Sequence, residues 1–259
     1  MTPPVALTVA GTDSGGAAGI AADLATFAAL GVHGACVVSA VTAQDTTGVS
    51  DVHTIPIGTV DAQLAAVLDD LPVAAAKTGM LGSPEAVELV AKRLSGVPLV
   101  VDPVLVATSG AVLGDEEVAA AYRDVLLPVA AVITPNRDEA VALLGHDGPP
   151  DDLAATLAAL GPAVVVTGGD PAATGTCTDW LALPGRDPEP LTHPAVLTDN
   201  DHGTGCTYSA ALAAGLARGL DLRTAAQRAA AHTTRQLTIS STWDLGRGRG
   251  PIAHIGGTA

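Results

Sequence analysis

Short apolar runs alternate along this chain with longer segments whose apolar residues recur every three or four positions. Val5–Ala10 is apolar except for Thr8 and closes on Gly11, a pattern that predicts a buried first strand. Residues 20–30 carry Ile20, Leu24, Phe27 and Leu30 and stop at Gly31, the spacing and stop signal of a helix. The same two patterns then repeat. Strands are expected over 35–41, 73–76, 98–103, 130–134 and 163–166. Helices are expected over 60–71, 85–94, 116–127 and 152–160. Another begins at Pro135-Asn136-Arg137-Asp138-Glu139, where a proline and acids in the first turn suit a helix N-terminus. Residues 42–48 read as a polar loop and 49–57 as an edge strand or flap. The runs 178–183 and 191–197 flank Pro184-Gly185 and read as a hairpin. Two Ala/Leu-rich helices, 210–220 and 222–239, precede a Gly- and Arg-rich loop. Strands alternating with helices predict an α/β fold with a parallel sheet covered on both faces. No Pro/Gly/Ser linker or repeat divides the pattern, so one domain spanning 1–259 is expected.

Composition narrows the partners. Hydrophobic residues make up 48% of the 259 positions, which argues against disorder despite a net charge of -15. Aromatics are 2%, so no aromatic platform for stacking nucleic-acid bases is expected. The acidic balance also argues against nucleic acid and anionic membranes, and no apolar stretch reaches membrane-spanning length. Cys36, Cys177 and Cys206 are scattered, with no Cys/His pair at zinc-ligand spacing. This points to a reduced, cytoplasmic compartment, with Cys36 and Cys177 as buried apolar residues. His33, His53, His146, His193 and His232 read as surface or capping residues.

The chemistry gathers where strands stop. Asp13, Gln44, Lys77, Asp102, Asn136 with Glu139, and Thr167 all follow expected strands, and in a parallel sheet those ends share the edge where ligands bind. The stretch Asp201-His202-Gly203-Thr204-Gly205-Cys206-Thr207 runs straight into a helix. Its glycines let backbone N–H groups approach an anion, and the helix start adds unpaired donors and a positive dipole end. The plainer reading is a helix start capped by Thr204 or Thr207. Cys206 sits at the mouth of this helix, where a thiolate is favoured. Asp102 with Asn136 and Glu139 offers oxygen ligands for a hydrated Mg²⁺, or Asp102 simply caps the Pro103 turn. Lys77 suits either a phosphate or a buried ion pair. A divalent ion beside an anion site suggests phosphoryl transfer. The loop Gly11-Thr12-Asp13-Ser14-Gly15-Gly16-Ala17-Ala18-Gly19 lacks GxGxxG, and Asp13 would repel a pyrophosphate, so a dinucleotide turn is disfavoured.

Seven motifs, taken in order, resemble the hydroxymethylpyrimidine/phosphomethylpyrimidine kinases of thiamin biosynthesis, in the ribokinase-like superfamily. They are Gly11-Thr12-Asp13-Ser14-Gly15-Gly16, Val41-Thr42-Ala43-Gln44-Asp45-Thr46, Lys77-Thr78-Gly79-Met80-Leu81, Val101-Asp102-Pro103-Val104, Leu126-Leu127-Pro128, Thr134-Pro135-Asn136 with Glu139, and His202-Gly203-Thr204-Gly205-Cys206-Thr207. The resemblance implies a three-layer αβα sandwich with a mostly parallel central sheet. It also implies an ATP- and Mg²⁺-dependent kinase, a homodimer, acting on 4-amino-5-hydroxymethyl-2-methylpyrimidine and then on its monophosphate. By the same resemblance, Gly11, Asp23, Gln44 and Met80 would bind substrate, Gln44 reading the aminopyrimidine edge. Gly203, Thr204 and Gly205 would form the anion hole, and Cys206 would take the hydroxyl proton. Lys77, Asn136, Thr167 and His202 would contact the nucleotide, and Asp102 and Glu139 the metal.

Some positions depart from that pattern. Thr167 stands where the family usually has a lysine reaching the nucleotide phosphates, and Asp170 where a histidine is common. Lys77 or Arg137 could supply the missing charge. Two other readings stay open: a kinase for pyridoxal or a similar heteroaromatic alcohol, and a pyrimidine-binding protein without turnover.

Overall fold

A computed structural model of the chain describes residues 2–105, 114–168 and 175–255. Ten strands are described: β1 (Val5–Ala10), β2 (His33–Val38), β3 (Ala40–Asp45), β4 (Gly48–Thr54), β5 (Val73–Thr78), β6 (Leu99–Val101), β7 (Val132–Ile133), β8 (Ala163–Val166), β9 (Thr176–Ala182) and β10 (Glu189–Pro194). The described helices are α1 (Gly19–Ala29), α2 (Ile57–Leu68), α3 (Pro84–Arg93), α4 (Glu116–Ala121), α5 (Arg137–Leu144), α6 (Pro150–Ala158), α7 (Thr204–Ala217) and α8 (Leu222–Ser240).

Eight strands form one sheet in the order β10-β9-β8-β7-β6-β5-β1-β2. From β2 to β8 every pairing is parallel; β9 and β10 are added antiparallel at one edge. Period-2 alternation splits the core into two layers. Leu7, Val9, Leu99, Val101, Val164 and Val166 face a cluster built with α2 to α6. Ala6, Ala75, Val100 and Val165 face a second cluster built with α1, α7 and α8. The second layer is alanine-rich, and small side chains let its helices lie close. A methyl group on Gly215 of α7 would sit 2.9 Å from the Ala225 Cβ of α8.

Four expectations change. Residues 42–48 are a strand–turn–strand element and not an open loop. The expected strand 35–41 breaks at Ser39, and β3 leaves the main sheet to pair with β4 in a two-stranded hairpin. Polar alternation hid this, because the hairpin has no buried face along most of β4. The expected helix 116–127 ends its α-helical part at Ala121 and continues as a wider π turn, Tyr122–Leu126. α7 begins at Thr204, six residues before its apolar run at Ala210. Among the described residues no helix is long and apolar enough to cross a membrane.

Candidate active site

Because β1 and β5 to β8 run parallel, Gly11, Gly79, Asp102, Thr134 and Thr167 emerge on one edge, beside the N-termini of α1 and α7. Together with Thr42, Gln44, Met80, Asn136, Glu139, His202, Gly203, Gly205, Cys206 and Arg249 they line a cleft of about 520 Å³.

Backbone contact sets the corner where α1 and α7 begin. Gly203 caps α7 with φ 93° and no side-chain cap. A Cβ there would collide with the carbonyl of Ala17, so only glycine lets the loop before α1 meet the start of α7. Gly19 also has positive φ, and its missing Cβ leaves room for the Gly11 carbonyl. The first-turn amides of Gly205 and Cys206 have no intrahelical acceptor and open onto the cleft. Thr204 departs from expectation. Its amide and hydroxyl both return to the Asp201 carbonyl, at 3.1 and 2.5 Å, so it closes the turn and does not face the cleft.

Asp13 organises the glycine-rich loop. It accepts N–H bonds from Gly15 (2.8 Å), Ala17 (3.1 Å) and Ala18 (2.9 Å). His202 Nε2 lies 3.0 Å from the same carboxylate and 3.1 Å from the Gln44 side-chain amide. These bonds to the charged form, with His202 beside it, hold the Asp13 carboxyl below its usual range although burial opposes them. Ser14 Oγ donates to the Gln44 carbonyl and Thr42 Oγ1 to that of Thr12, so the β3–β4 hairpin is laced to this loop. Gly11 packs against Met80, its missing Cβ 2.5 Å from the Met80 methyl. His202 thus pairs with Asp13 and Gln44 and not with Asn136 or Thr167.

Beneath the cleft lies a buried charge network. Lys77 Nζ is fully buried, 2.9 and 3.0 Å from the Asp23 carboxylate and 3.8 Å from Asp102. Thr8, opposite Lys77 across β1 and β5, donates to Asp23 at 2.6 Å. The ammonium is held above the ordinary lysine range: burial works against its charge, but Asp23, Cys206 and Asp102 outweigh it. Two expectations are therefore corrected. Asp23, placed with the substrate, and Lys77, placed with the nucleotide, are both fully buried as an ion pair under the site. The small residues of β5 leave the space, and Asp23 lies one turn beyond Ile20 on the inward stripe of α1.

Asp102 accepts a 2.9 Å bond from Ser209 of α7. Asn136 and Glu139 form a reciprocal capping box at the start of α5, each side chain accepting the other's N–H at 2.9 Å. Burial, then the charge of Asp102, pushes the Glu139 carboxyl up to about 8. Two buried acids, both raised by burial and one raised further by the other's charge, suit a hard cation with oxygen ligands. Cys206 lines the cleft, but its thiol is not activated by the helix start. Burial pushes it up to about 12, with Asp102 and Asp23 adding to the effect, and Lys77 and the Gly19 amide only partly oppose this. Thr167 lines the cleft, and its amide donates to the Pro135 carbonyl at 2.9 Å. Gly169 and Asp170 lie outside the described residues.

Arg137 does not supply the charge missing at Thr167. It pairs with Asp147 on the surface. Among the described residues, the cation lining the cleft is Arg249, held by both oxygens of Asp201. The loop that carries Arg249 also packs Gly246 and Gly248 against Thr46 and pairs Arg247 with Asp45. Nothing in the sequence pattern marked this loop beyond its glycines and arginines, because its partners lie far upstream. His232 also departs from expectation, being buried, and burial lowers its ring to about 4.

A mostly parallel sheet whose strand ends meet two glycine-tight helix starts around paired acids defines a phosphotransferase of the ribokinase-like class. Residues 13–253 match the family model described as phosphomethylpyrimidine kinase, and the chain belongs to that family. The hydroxymethylpyrimidine/phosphomethylpyrimidine kinase of Synechococcus elongatus is 46% identical, covering 98% of both chains. The crystal structure of an ADP complex of Bacillus subtilis pyridoxal kinase superposes with a TM-score of 0.86 at 35% identity, over 98% of both chains. Phosphomethylpyrimidine kinase from Clostridium difficile gives 0.76 at 33% identity, over 90% of this chain and 98% of that one.

Proposed function

We propose that residues 1–259 act as one kinase domain that transfers the γ-phosphoryl group of ATP to the hydroxymethyl oxygen of 4-amino-5-hydroxymethyl-2-methylpyrimidine, and then to its monophosphate. The observation that carries this is the pairing of Gln44 with an anion-binding helix start across one cleft. A side-chain amide offers one donor and one acceptor, matching a ring nitrogen beside an exocyclic amine. The family's relatives carry this activity in their names. Gly11 and Met80 form the floor under the ring. The amides of Gly205 and Cys206, with Gly203 admitting close approach, receive the phosphoryl oxygens. Asn136, Thr167 and Arg249 face the nucleotide. Asp102 and Glu139 would hold Mg²⁺, which supplies neutralisation of phosphate charge when bound. Asp23 and Lys77 fix the floor and keep a positive charge beneath Cys206. Cys206 takes the hydroxyl proton late and only as its thiolate, a minor form with the thiol pushed up to about 12, which is tolerable because phosphoryl transfer rests mostly on positioning and charge. The protein works as a homodimer in the reducing cytoplasm.

The test is turnover of the pyrimidine alcohol against pyridoxal with ATP and Mg²⁺. We expect the pyrimidine to be preferred. A tenfold or greater preference for pyridoxal, about 1.4 kcal/mol, would overturn the substrate assignment. Calorimetric binding of the pyrimidine without ATP turnover would overturn the kinase reading itself.

A further inference from the structure

At the far edge of the sheet, away from the cleft, three side chains converge from two paired strands. Cys177 of β9 stands directly opposite His193 of β10. Asp179, two residues along β9, projects from the same face. One sulfur, one carboxylate oxygen and one ring nitrogen from these residues lie within 4.8 Å of one another. Asp179 Oδ2 is 3.3 Å from His193 Nε2, an ion-pair contact in which neither atom reaches hydrogen-bond geometry, and Asp179 is only 2% exposed. An ordinary imidazole–carboxylate pair at this depth would be expected to form a hydrogen bond, since leaving such groups unmade is costly.

The surroundings already fix the geometry of a ligand set. Gly168 N–H donates to Asp179 Oδ1 at 3.0 Å, leaving Oδ2 directed at the cluster. His193 Nδ1 lies 3.3 Å from the Pro194 carbonyl and 3.2 Å from Thr234 Oγ1. A proton on Nδ1 given to a carbonyl leaves the Nε2 lone pair for a metal, the usual outer-shell arrangement for a ligating histidine. In a tetrahedral zinc site, nitrogen and oxygen ligands each at about 2.0–2.1 Å stand about 3.3 Å apart, the separation found here.

We propose that Cys177, Asp179 and His193 form a binding site for a divalent ion of the zinc class, distinct from the kinase cleft. The mixed sulfur, nitrogen and oxygen donors suit zinc and disfavour Mg²⁺. The fourth position opens onto a groove between β10 and α8 lined by Thr192, Thr234 and Arg235, room for a water or an anionic ligand. Through Asp179 and Gly168 the ion ties the β9–β10 hairpin to the strand end that carries Thr167.

The experiment uses the full chain, stripped with EDTA and titrated with Co²⁺ and then Zn²⁺. We expect one equivalent bound per chain, with a cobalt–thiolate charge-transfer band, tetrahedral visible bands and displacement by Zn²⁺ but not by Mg²⁺. Cys177→Ser should abolish the charge-transfer band, and His193→Gln should weaken Co²⁺ binding at least about tenfold, the lower end of what loss of an outer-shell partner alone costs. Cys36→Ser should leave the band intact. Circular dichroism checks that each variant folds. X-ray absorption on zinc-loaded wild type gives an answer independent of the variants, with one sulfur at about 2.3 Å expected. Absence of that sulfur, absence of the band in wild type, or an unchanged band in folded Cys177→Ser would overturn the site.

Discussion

Replacing Lys77 with methionine should be among the most damaging single changes in this protein, and its cost should depend on pH. The ammonium is fully buried and makes two contacts to Asp23, at 2.9 and 3.0 Å, with Asp102 at 3.8 Å. Methionine nearly fills the volume, so the loss is electrostatic and not a cavity. Removing one partner of a buried pair typically costs about 3–5 kcal/mol, because the other charge stays buried without compensation. Asp23 would keep only the Thr8 hydroxyl. Without Lys77 to oppose burial, it would hold its proton still more tightly in the folded state. Such a group adds stability fully present below its unfolded pKa, near 3.8, and lost as pH rises through its raised folded value. Urea unfolding of Lys77→Met should therefore show a deficit that widens from pH 5 toward 8, by up to about 1.4 kcal/mol per pH unit. In wild type Lys77 offsets part of the burial that raises Asp23, so the slope from this group is shallower. Adding Asp23→Asn removes the orphaned charge and should recover part of the loss. A deficit under about 1 kcal/mol, the level of an exposed pair, or one independent of pH, would refute the account of a charge-bearing core.

Three further outcomes follow from the cleft. Gly203→Ala should lower stability by about 1–3 kcal/mol through positive-φ strain, and cut kcat more than its stability loss explains, because the new methyl pushes the Ala17 loop off α7; kinetics and urea unfolding together check this, and wild-type kcat in the folded variant would remove Gly203 from the anion corner. Cys206→Ala should lower kcat by about 10²-fold or more if the sulfur takes the proton, with the pyrimidine KM little changed. Because the thiol is pushed up to about 12, wild-type kcat should climb with pH between 7 and 9 and the variant should not; matching profiles would take Cys206 off the proton path. Thr167→Lys should tighten ATP about tenfold, about 1.4 kcal/mol, measured as KM for ATP; no gain would mean that Arg249 already meets the phosphates.

The sequence by itself determined much of this protein. Most strands and helices are written in local periodicity, the β3–β4 hairpin excepted, and the parallel order of β1 and β5 to β8 carries their strand-end motifs to one edge. Gly11, Met80, Asp102, Asn136, Glu139, Thr167, His202, Gly203, Gly205 and Cys206 reach the cleft along that edge, whereas Gln44 arrives on the hairpin laced to the Asp13 loop. What periodicity cannot report is which polar group finds which partner across the fold. Asp23 and Lys77 are 54 residues apart, and whether Lys77 met a phosphate or an acid depended on how α1 lay over β5. The same holds for Arg249, which reaches the cleft only because Asp201 holds it. It holds as well for Cys177 and His193, scattered in sequence but opposite one another once β9 and β10 pair. Local patterns fix the backbone because hydrogen bonding and burial act along it, whereas charge and metal chemistry act across space. Tertiary structure decided which of these side chains line the site, which support it from beneath, and which stand apart.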